Sequence, residues 1–498
     1  MATSPAMRKT LNKVGTELAM TTIPLLAHSD FLRHFLIQTA QKYIQNVGVS
    51  RESDFPRPLG VSEDRAEFSK VIMNTADRVL SHNLARPVLR SAARTLFGSI
   101  MVEGSEPSIS EKFNKENGTN PPGFLLVSPG KTCNLRCTGC YANSGADAEK
   151  LDWDTFDKII TDAKNLWGVH FIAISGGEPM AYRSDGKGIL DIAEKHQDIF
   201  FLMYTNGTLI TEDVAKRMAK SGNLTPAISV EGWRERTDER RGAGVFDKVL
   251  AAMGRLRRAG VPFGISLTAT RHNAEEIFSD EFLDFFFEEQ GALYGWLFHY
   301  MPIGRSYTLD LMPTAEQRVW MWKRVWEVIH QRHIFMADFW NSATLTDGCL
   351  AAGRSNGGGY LYIDWNGAVS PCVFVPYSPV NICKVYANGG SLTDAWKEPF
   401  FSGIRNWQEN YRKNDGNLLA PCIIRDHHKD LRSLISQHEP DPTDENARKA
   451  LLDPNYARGL EEFDVALQTI SDPIWQEYYL HPTEHNDGHK RPQPEKLN

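Results

Sequence analysis

Residues 124–141 read FLLVSPGKTCNLRCTGCY, and this stretch decides the fold. Phe124–Ser128 is apolar and short, as a buried strand is. A loop follows in which Cys133, Cys137 and Cys140 succeed one another at C-x3-C-x2-C spacing. Loops leaving the C-terminal ends of strands carry the chemistry of α/β proteins. Thiolates are the usual ligands of iron–sulfur clusters. Three thiolates on a four-iron cube leave one iron without a protein ligand, open to a chelating molecule. A structural zinc site is the alternative, but zinc takes four protein ligands and no histidine falls within this segment.

The alternation continues outward. Strand-like runs at Phe171–Ser175, Phe200–Thr205, Ala227–Val230, Phe263–Ala269 and Tyr294–Met301 alternate with helical patterns near 152–166, 188–197, 211–221, 246–259 and 275–289. Such alternation builds βαβ units around a parallel sheet. Six units are too few to close an eight-stranded barrel, so the expected fold is α/β, an open partial (β/α)6 barrel. Upstream of it, Ser29 is a suitable N-cap for a helix carrying Leu32, Phe35, Leu36, Tyr43, Ile44 and Val47 near one face. A second helix starts at Pro87, with Arg86, Arg90 and Arg94 along one side. Residues 103–122 have the Gly, Asn, Ser and Pro content of a linker. Downstream, a tryptophan-rich helix (Val319, Trp322, Trp326, Ile329) precedes a hairpin that turns at Asn366–Gly367. From about Thr483 the chain is polar and reads as a disordered tail. The expected division is a helical region, 1–120; the barrel, 121–312; a small domain with the late cysteines, 313–435; and a helical extension with its tail, 436–498.

The segment CNLRCTGCYA, placed directly after the first strand, resembles the signature of the radical SAM superfamily. The resemblance covers about residues 123–300. It implies that Cys133, Cys137 and Cys140 hold a [4Fe–4S] cluster whose open iron is chelated by S-adenosylmethionine (SAM). Reductive cleavage would then give a 5′-deoxyadenosyl radical that takes hydrogen from an unactivated carbon. Flavodoxin or ferredoxin would supply the electron. By the same resemblance, the loop Ser175-Gly176-Gly177-Glu178-Pro179 binds the methionine amino group through Glu178 and the adjacent backbone. Asn206 closes the third strand beside the cofactor, Ser229 and Glu231 contact ribose or carboxylate, and Arg241 reaches the carboxylate. Gly139 stands where the family often has an aromatic residue packed near the adenine.

Seven cysteines in a long chain, an odd number, argue against a disulfide framework. Cys349, Cys372, Cys383 and Cys422 come late. Gly367–Cys372 has the G-x4-C form that resembles the start of SPASM or twitch auxiliary-cluster domains. Four cysteines suit one further [4Fe–4S] cluster, as in a twitch domain. Cys349, Cys372 and Cys422 are the well-placed ligands. The fourth is Cys383, the favoured choice, or one of Asp426, His427 and His428, or the iron stays open for substrate. Four cysteines suit zinc as well.

A net charge of −7 gives no reason to expect a nucleic-acid partner. No run of 18 apolar residues suggests a membrane span, and the N-terminus lacks a secretory pattern. A cytoplasmic location follows by default, with peripheral membrane contact through the Arg86/Arg90/Arg94 side as an option. The segment Tyr300–Arg305 stands at the barrel mouth. There Tyr300 is a candidate relay for an electron or hydrogen, and Arg305 a candidate to bind an anionic group. The nearby Trp296, Phe298, His299, Phe339 and Trp340 suit an apolar or lipid-like small molecule. A maturase of ribosomal peptides is the competing reading, although residues 1–120 show no β-hairpin wing of a peptide-recognition domain. A non-catalytic iron–sulfur or zinc protein is a third, and it would need neither the GGEP loop nor an open iron.

Overall fold

A computed structural model describes residues 57–81, 84–91, 108–414 and 416–481. Six strands follow the expected order: β1 (Phe124–Val127), β2 (Phe171–Ile174), β3 (Phe200–Thr205), β4 (Leu224–Val230), β5 (Gly264–Ala269) and β6 (Tyr294–His299). Each pairs in parallel with the next, from Leu125 beside Ile172 to Ala269 beside His299. The helices between them are bounded by local chemistry. Asp152 caps Trp153–Trp167 by accepting from Thr155 N, and Gly168 ends it in the left-handed region at φ +71°. That helix buries Phe156, Ile159, Ile160 and Ala163 completely, each large side chain contributing about 1.5–3 kcal/mol.

The sheet is wider than the six expected strands. β7 (Phe335–Asp338) lies parallel to β6, and β8 (Tyr360–Ile363) lies parallel to β1 on the opposite edge. Eight parallel strands therefore run in the order β8-β1-β2-β3-β4-β5-β6-β7. Among the described residues no pairing joins β7 to β8, so the barrel stays open there. The expected hairpin is present, with β9 (Ala368–Ser370) antiparallel to β8 and Gly367 at φ +80° in its turn. One sheet thus runs through the boundary expected at 312/313.

Local differences have local causes. The linker expected at 103–122 contains a helix, Ile109–Asn117, fixed by a capping box between Ser108 and Glu111. The helical pattern at 275–289 breaks into the short turns Glu276–Phe278, Asp280–Leu283 and Asp284–Glu289. The tryptophan-rich helix is Ala315–Glu327, started by a Thr314/Gln317 capping box, and it buries Trp322 and Trp326. A helix the sequence did not announce, Leu59–Ser81, rests Phe68 on Phe335 with ring centroids 5.0 Å apart. Residues 86–91 are helical. The helix expected from Ser29, Arg94 and the tail from Thr483 lie outside the described residues. Among the described residues, no helix is long and apolar enough to cross a membrane.

Candidate active site

The loop after β1 is held from three sides. Cys133 N donates to Gly145 O at 2.7 Å, Thr138 N to Arg240 O at 2.9 Å, and Arg305 N to Cys140 O at 2.9 Å. The Arg305 guanidinium donates to the carbonyls of Cys137 and Ser144. Arg305 was expected to meet an anionic substrate group. The structure spends it on the cysteine loop instead, because the backbone carbonyls that the tight loop leaves unpaired need donors. Gly304, at φ +73°, allows this docking, since a Cβ there would strike the carbonyl of Tyr141. Burial pushes the Cys133 thiol up to about 11, so metal binding must displace its proton.

A cavity of about 650 Å³ begins at this loop and fills the barrel. Cys133, Cys137 and Cys140 border it, as do Gly176, Gly177, Asn206, Ser229 and Arg241. Asn206 Nδ2 donates to Asn134 Oδ1 at 2.9 Å and lies 3.9 Å from Cys133 Sγ. The two glycines are required by the neighbouring loop: a Cβ on Gly176 would lie 2.6 Å from Gly130 O, and one on Gly177 would collide with the carbonyls of Lys131 and Thr132. Glu178 and Glu231, both expected at the cofactor, do not border the cavity. Glu178 is 1% exposed and accepts from Thr205 Oγ1 (2.7 Å), Met180 N (3.0 Å) and Asn206 N (2.8 Å), tying the end of β2 to the end of β3. Burial raises its pKa against those hydrogen bonds. Glu231 is paired with Arg240 at 2.6 Å and with Arg241. Burial opposes the Arg241 charge, but Glu231 and the Cys137 thiolate outweigh it and raise the pKa.

The late cysteines divide. Cys349, Cys372 and Cys422 border the same cavity. Cys372 is buried and the other two are partly buried, and desolvation pushes each thiol up to about 12, with the charge of another of the three adding to it. Cys372 Sγ takes hydrogen bonds from Tyr360 Oη at 3.0 Å and Phe374 N at 3.5 Å. Cys383 is not with them. Asn381 caps the helix Ile382–Ala387, and its first turn aims Cys383 at the hairpin, where a Cβ on Gly367 would lie 2.7 Å from its sulfur. None of the alternative fourth ligands, Asp426, His427 and His428, borders the cavity. Asp426 pairs with Arg318 and accepts from Cys422 N at 3.0 Å. His427 Nε2 bonds Ala420 O at 2.8 Å, and His428 Nδ1 bonds Ile424 O at 3.0 Å.

Between the two cysteine groups the walls are largely aromatic: Tyr204, Trp296, Phe298, Phe339 and Phe374 border the cavity. Tyr300 borders it too, 1% exposed, with its hydroxyl donating to Ser306 O at 2.9 Å. Its ring occupies the space that Gly139 leaves, 2.6 Å from where a Cβ would stand. Sequence reading missed one polar pair here. His299 Nε2 lies 3.0 Å from Asp338 Oδ2, and both are fully buried. The signal was positional, since these residues end β6 and β7, where barrel sites collect.

Cysteine thiols with backbone glycines at one end of the cavity fit a cluster with an open iron. Comparison with known proteins agrees. The radical SAM superfamily family model matches residues 127–280. The chain is 31% identical over 303 residues to the mycofactocin maturase MftC of Mycolicibacterium smegmatis, covering 58% of this chain and 74% of that protein. It is 27% identical over 300 residues to the AdoMet-dependent heme synthase of Methanosarcina barkeri, covering 53% and 80% respectively. In fold it is similar to Streptococcus suis SuiB bound to S-adenosylmethionine, with a TM-score of 0.51, 20% identity, and 74% of this chain and 90% of that one covered. The chain therefore belongs to the radical SAM superfamily, as an enzyme that uses a [4Fe–4S] cluster and SAM and carries an auxiliary-cluster domain.

Proposed function

We propose that this enzyme abstracts hydrogen from an apolar portion of a substrate enclosed in the barrel. The carrying observation is the cavity itself, which joins both cysteine groups across a largely aromatic interior. When bound, the cluster and SAM supply a 5′-deoxyadenosyl radical. Cys133, Cys137 and Cys140 hold that cluster. The backbone of Gly176 and Gly177, with Asn206, Ser229 and Arg241, contacts SAM. Cys349, Cys372 and Cys422 hold the second cluster, leaving one iron open, and Cys383 is not a ligand. Tyr300 packs against Gly139, in the room that residue leaves beside Cys140. A flavodoxin- or ferredoxin-like protein donates the electron. Buried apolar walls exclude water from the radical and reward apolar groups at about 25 cal/mol per Å² buried. They offer few partners to a peptide backbone, whose unpaired N–H and C=O groups would each cost several kcal/mol.

The second reading is peptide modification, favoured by the match to a protein named a maturase and by the fold shared with SuiB, which has been crystallised with a precursor peptide. In that case an apolar side chain enters the barrel while the peptide backbone stays outside. A deuterated extract of the source organism separates the readings. The lipid and small-molecule pool and the peptide pool are each added to reconstituted enzyme with SAM and reductant, and 5′-deoxyadenosine is analysed by mass spectrometry. Deuterium arriving from the first pool supports the main reading. Deuterium only from peptides supports the second, and none from either defeats hydrogen abstraction.

A further inference from the structure

The cavity does not stop at the cysteine loop. It runs down the barrel along every second strand position, the set that faces inward. On β2 these positions are Phe171 and Ala173, followed by Ser175 just past the strand's end. From Phe171 to Ser175 is about 13 Å along the strand, at roughly 3.3 Å per residue. Inward side chains ordinarily fill a small barrel. Here several middle positions are small, Ala173 on β2, Ser266 on β5 and Ala337 on β7, and all three border the cavity.

Two features give this lower part its shape. On the side of the cysteine loop, four rings that border the cavity touch in sequence. Tyr204 on β3 meets Phe298 on β6 with centroids 5.4 Å apart, Phe298 meets Phe374 at 6.0 Å, and Phe374 meets Tyr141 at 6.1 Å. β3 and β6 are not neighbours in the sheet, so the first of these contacts crosses the interior and narrows it to a waist. At the far end stand the first residues of β1, β2 and β7, which are Phe124, Phe171 and Phe335. The helix Leu59–Ser81 lays Phe68 on Phe335 there. Ile72, one turn along the same helix, borders the cavity and is 40% exposed, so apolar lining continues to the surface. Gly176, Gly177, Asn206 and Arg241, assigned above to SAM, all follow the ends of β2, β3 and β4 and leave this lower part to another occupant.

We infer that the cavity below the four rings holds an unbranched hydrocarbon chain of the substrate, threaded past the waist, while the carbon that loses hydrogen stays on the cysteine-loop side. The substrate class is accordingly a molecule with a long alkyl chain. This rests on the apolar-chamber reading above and adds a shape to it: the waist admits a methylene chain and rejects a compact ring system of equal carbon number. Ala173 and Ala337 become specificity-determining residues, because a larger side chain at either position takes the place of the chain.

Three alcohols test it on anaerobically reconstituted, SAM-loaded enzyme by equilibrium dialysis: 1-hexanol, 1-dodecanol and cyclododecanol. Each methylene buried is worth about fourfold in affinity. The wild type is therefore expected to bind 1-dodecanol at least on the order of a hundredfold more tightly than 1-hexanol, and cyclododecanol roughly tenfold more weakly than 1-dodecanol. Ala173→Phe is expected to weaken 1-dodecanol roughly tenfold or more while 1-hexanol binds as before. Ala337→Phe places the same obstacle on β7 and carries the test if Ala173→Phe fails to take up iron. Cyclododecanol held as tightly as 1-dodecanol by the wild type, or a 1-dodecanol affinity that survives the substitution in an iron-loaded variant, overturns this inference and leaves the apolar chamber standing. Failure of all three alcohols to bind the wild type overturns both.

Discussion

Gly139→Ala measures how tightly the cysteine loop is built. Gly139 has φ +64°, a conformation that costs an L-residue about 1–2 kcal/mol. The new Cβ would lie 2.6 Å from Tyr300 Cε2 and 3.3 Å from Cδ2. The ring is 1% exposed and tethered through its hydroxyl to Ser306 O, so it can retreat only toward the cavity it borders and at the expense of that hydrogen bond. Overpacking of this kind costs about 1–3 kcal/mol, so the total is about 2–5 kcal/mol, concentrated one residue from Cys140. The assay is iron per chain after anaerobic reconstitution, with the thermal midpoint beside it. Iron is expected to fall from on the order of eight per chain toward four, with a lowered midpoint. Tyr300→Leu in the same chain should recover about 1–3 kcal/mol, the overpacking share, and leave the backbone share. Unchanged iron together with singles and double that add within ~0.5 kcal/mol would refute the claim that Tyr300 fills the place of an aromatic residue at 139.

Three further outcomes follow from the same geometry. Cys383→Ala should leave iron content at the wild-type value, whereas Cys372→Ala should lower it by about four irons; equal losses would restore Cys383 as a ligand. Arg305→Met removes charged hydrogen bonds to Cys137 O and Ser144 O, each contributing about 1.5–3 kcal/mol, and should speed chelator extraction of iron several-fold, with SAM-cleavage activity falling in step. Burial raises Asp464 to about 8, well above its unfolded value near 3.8. Folding therefore works against ionisation, and the resulting penalty grows between pH 4 and 8. Asp464→Asn keeps an acceptor for His428 N and should gain stability over wild type across that window, by roughly 2–4 kcal/mol at pH 8; a constant difference in thermal midpoint across that window would contradict the assignment.

Much of the barrel was legible because its signals are local. Short apolar runs and caps such as Asp152 and Thr211 act within a few residues, and β1–β6 appear where the runs stood. β7 was missed because four residues, Phe335–Asp338, follow a helix without a turn signal of their own. The parallel pairing of β8 with β1 joins residues over two hundred positions apart, and no local pattern encodes such a partner.

The cysteine loop shows the same division. By itself the sequence determined that three thiols lie in one loop after a strand, because spacing alone fixes which donors can share one cluster. Only the tertiary structure decided which late cysteines join a second group. Cys383 is closer in sequence to Cys372 than Cys349 is, yet the helix begun at Asn381 turns it to the hairpin. Tertiary packing also gave Glu178, Glu231 and Arg305 partners within the protein, since a charged side chain buried in a fold takes whatever partners the packing brings within reach. It also made the buried His299–Asp338 pair, because Asp338 reaches the imidazole only when β6 and β7 lie side by side.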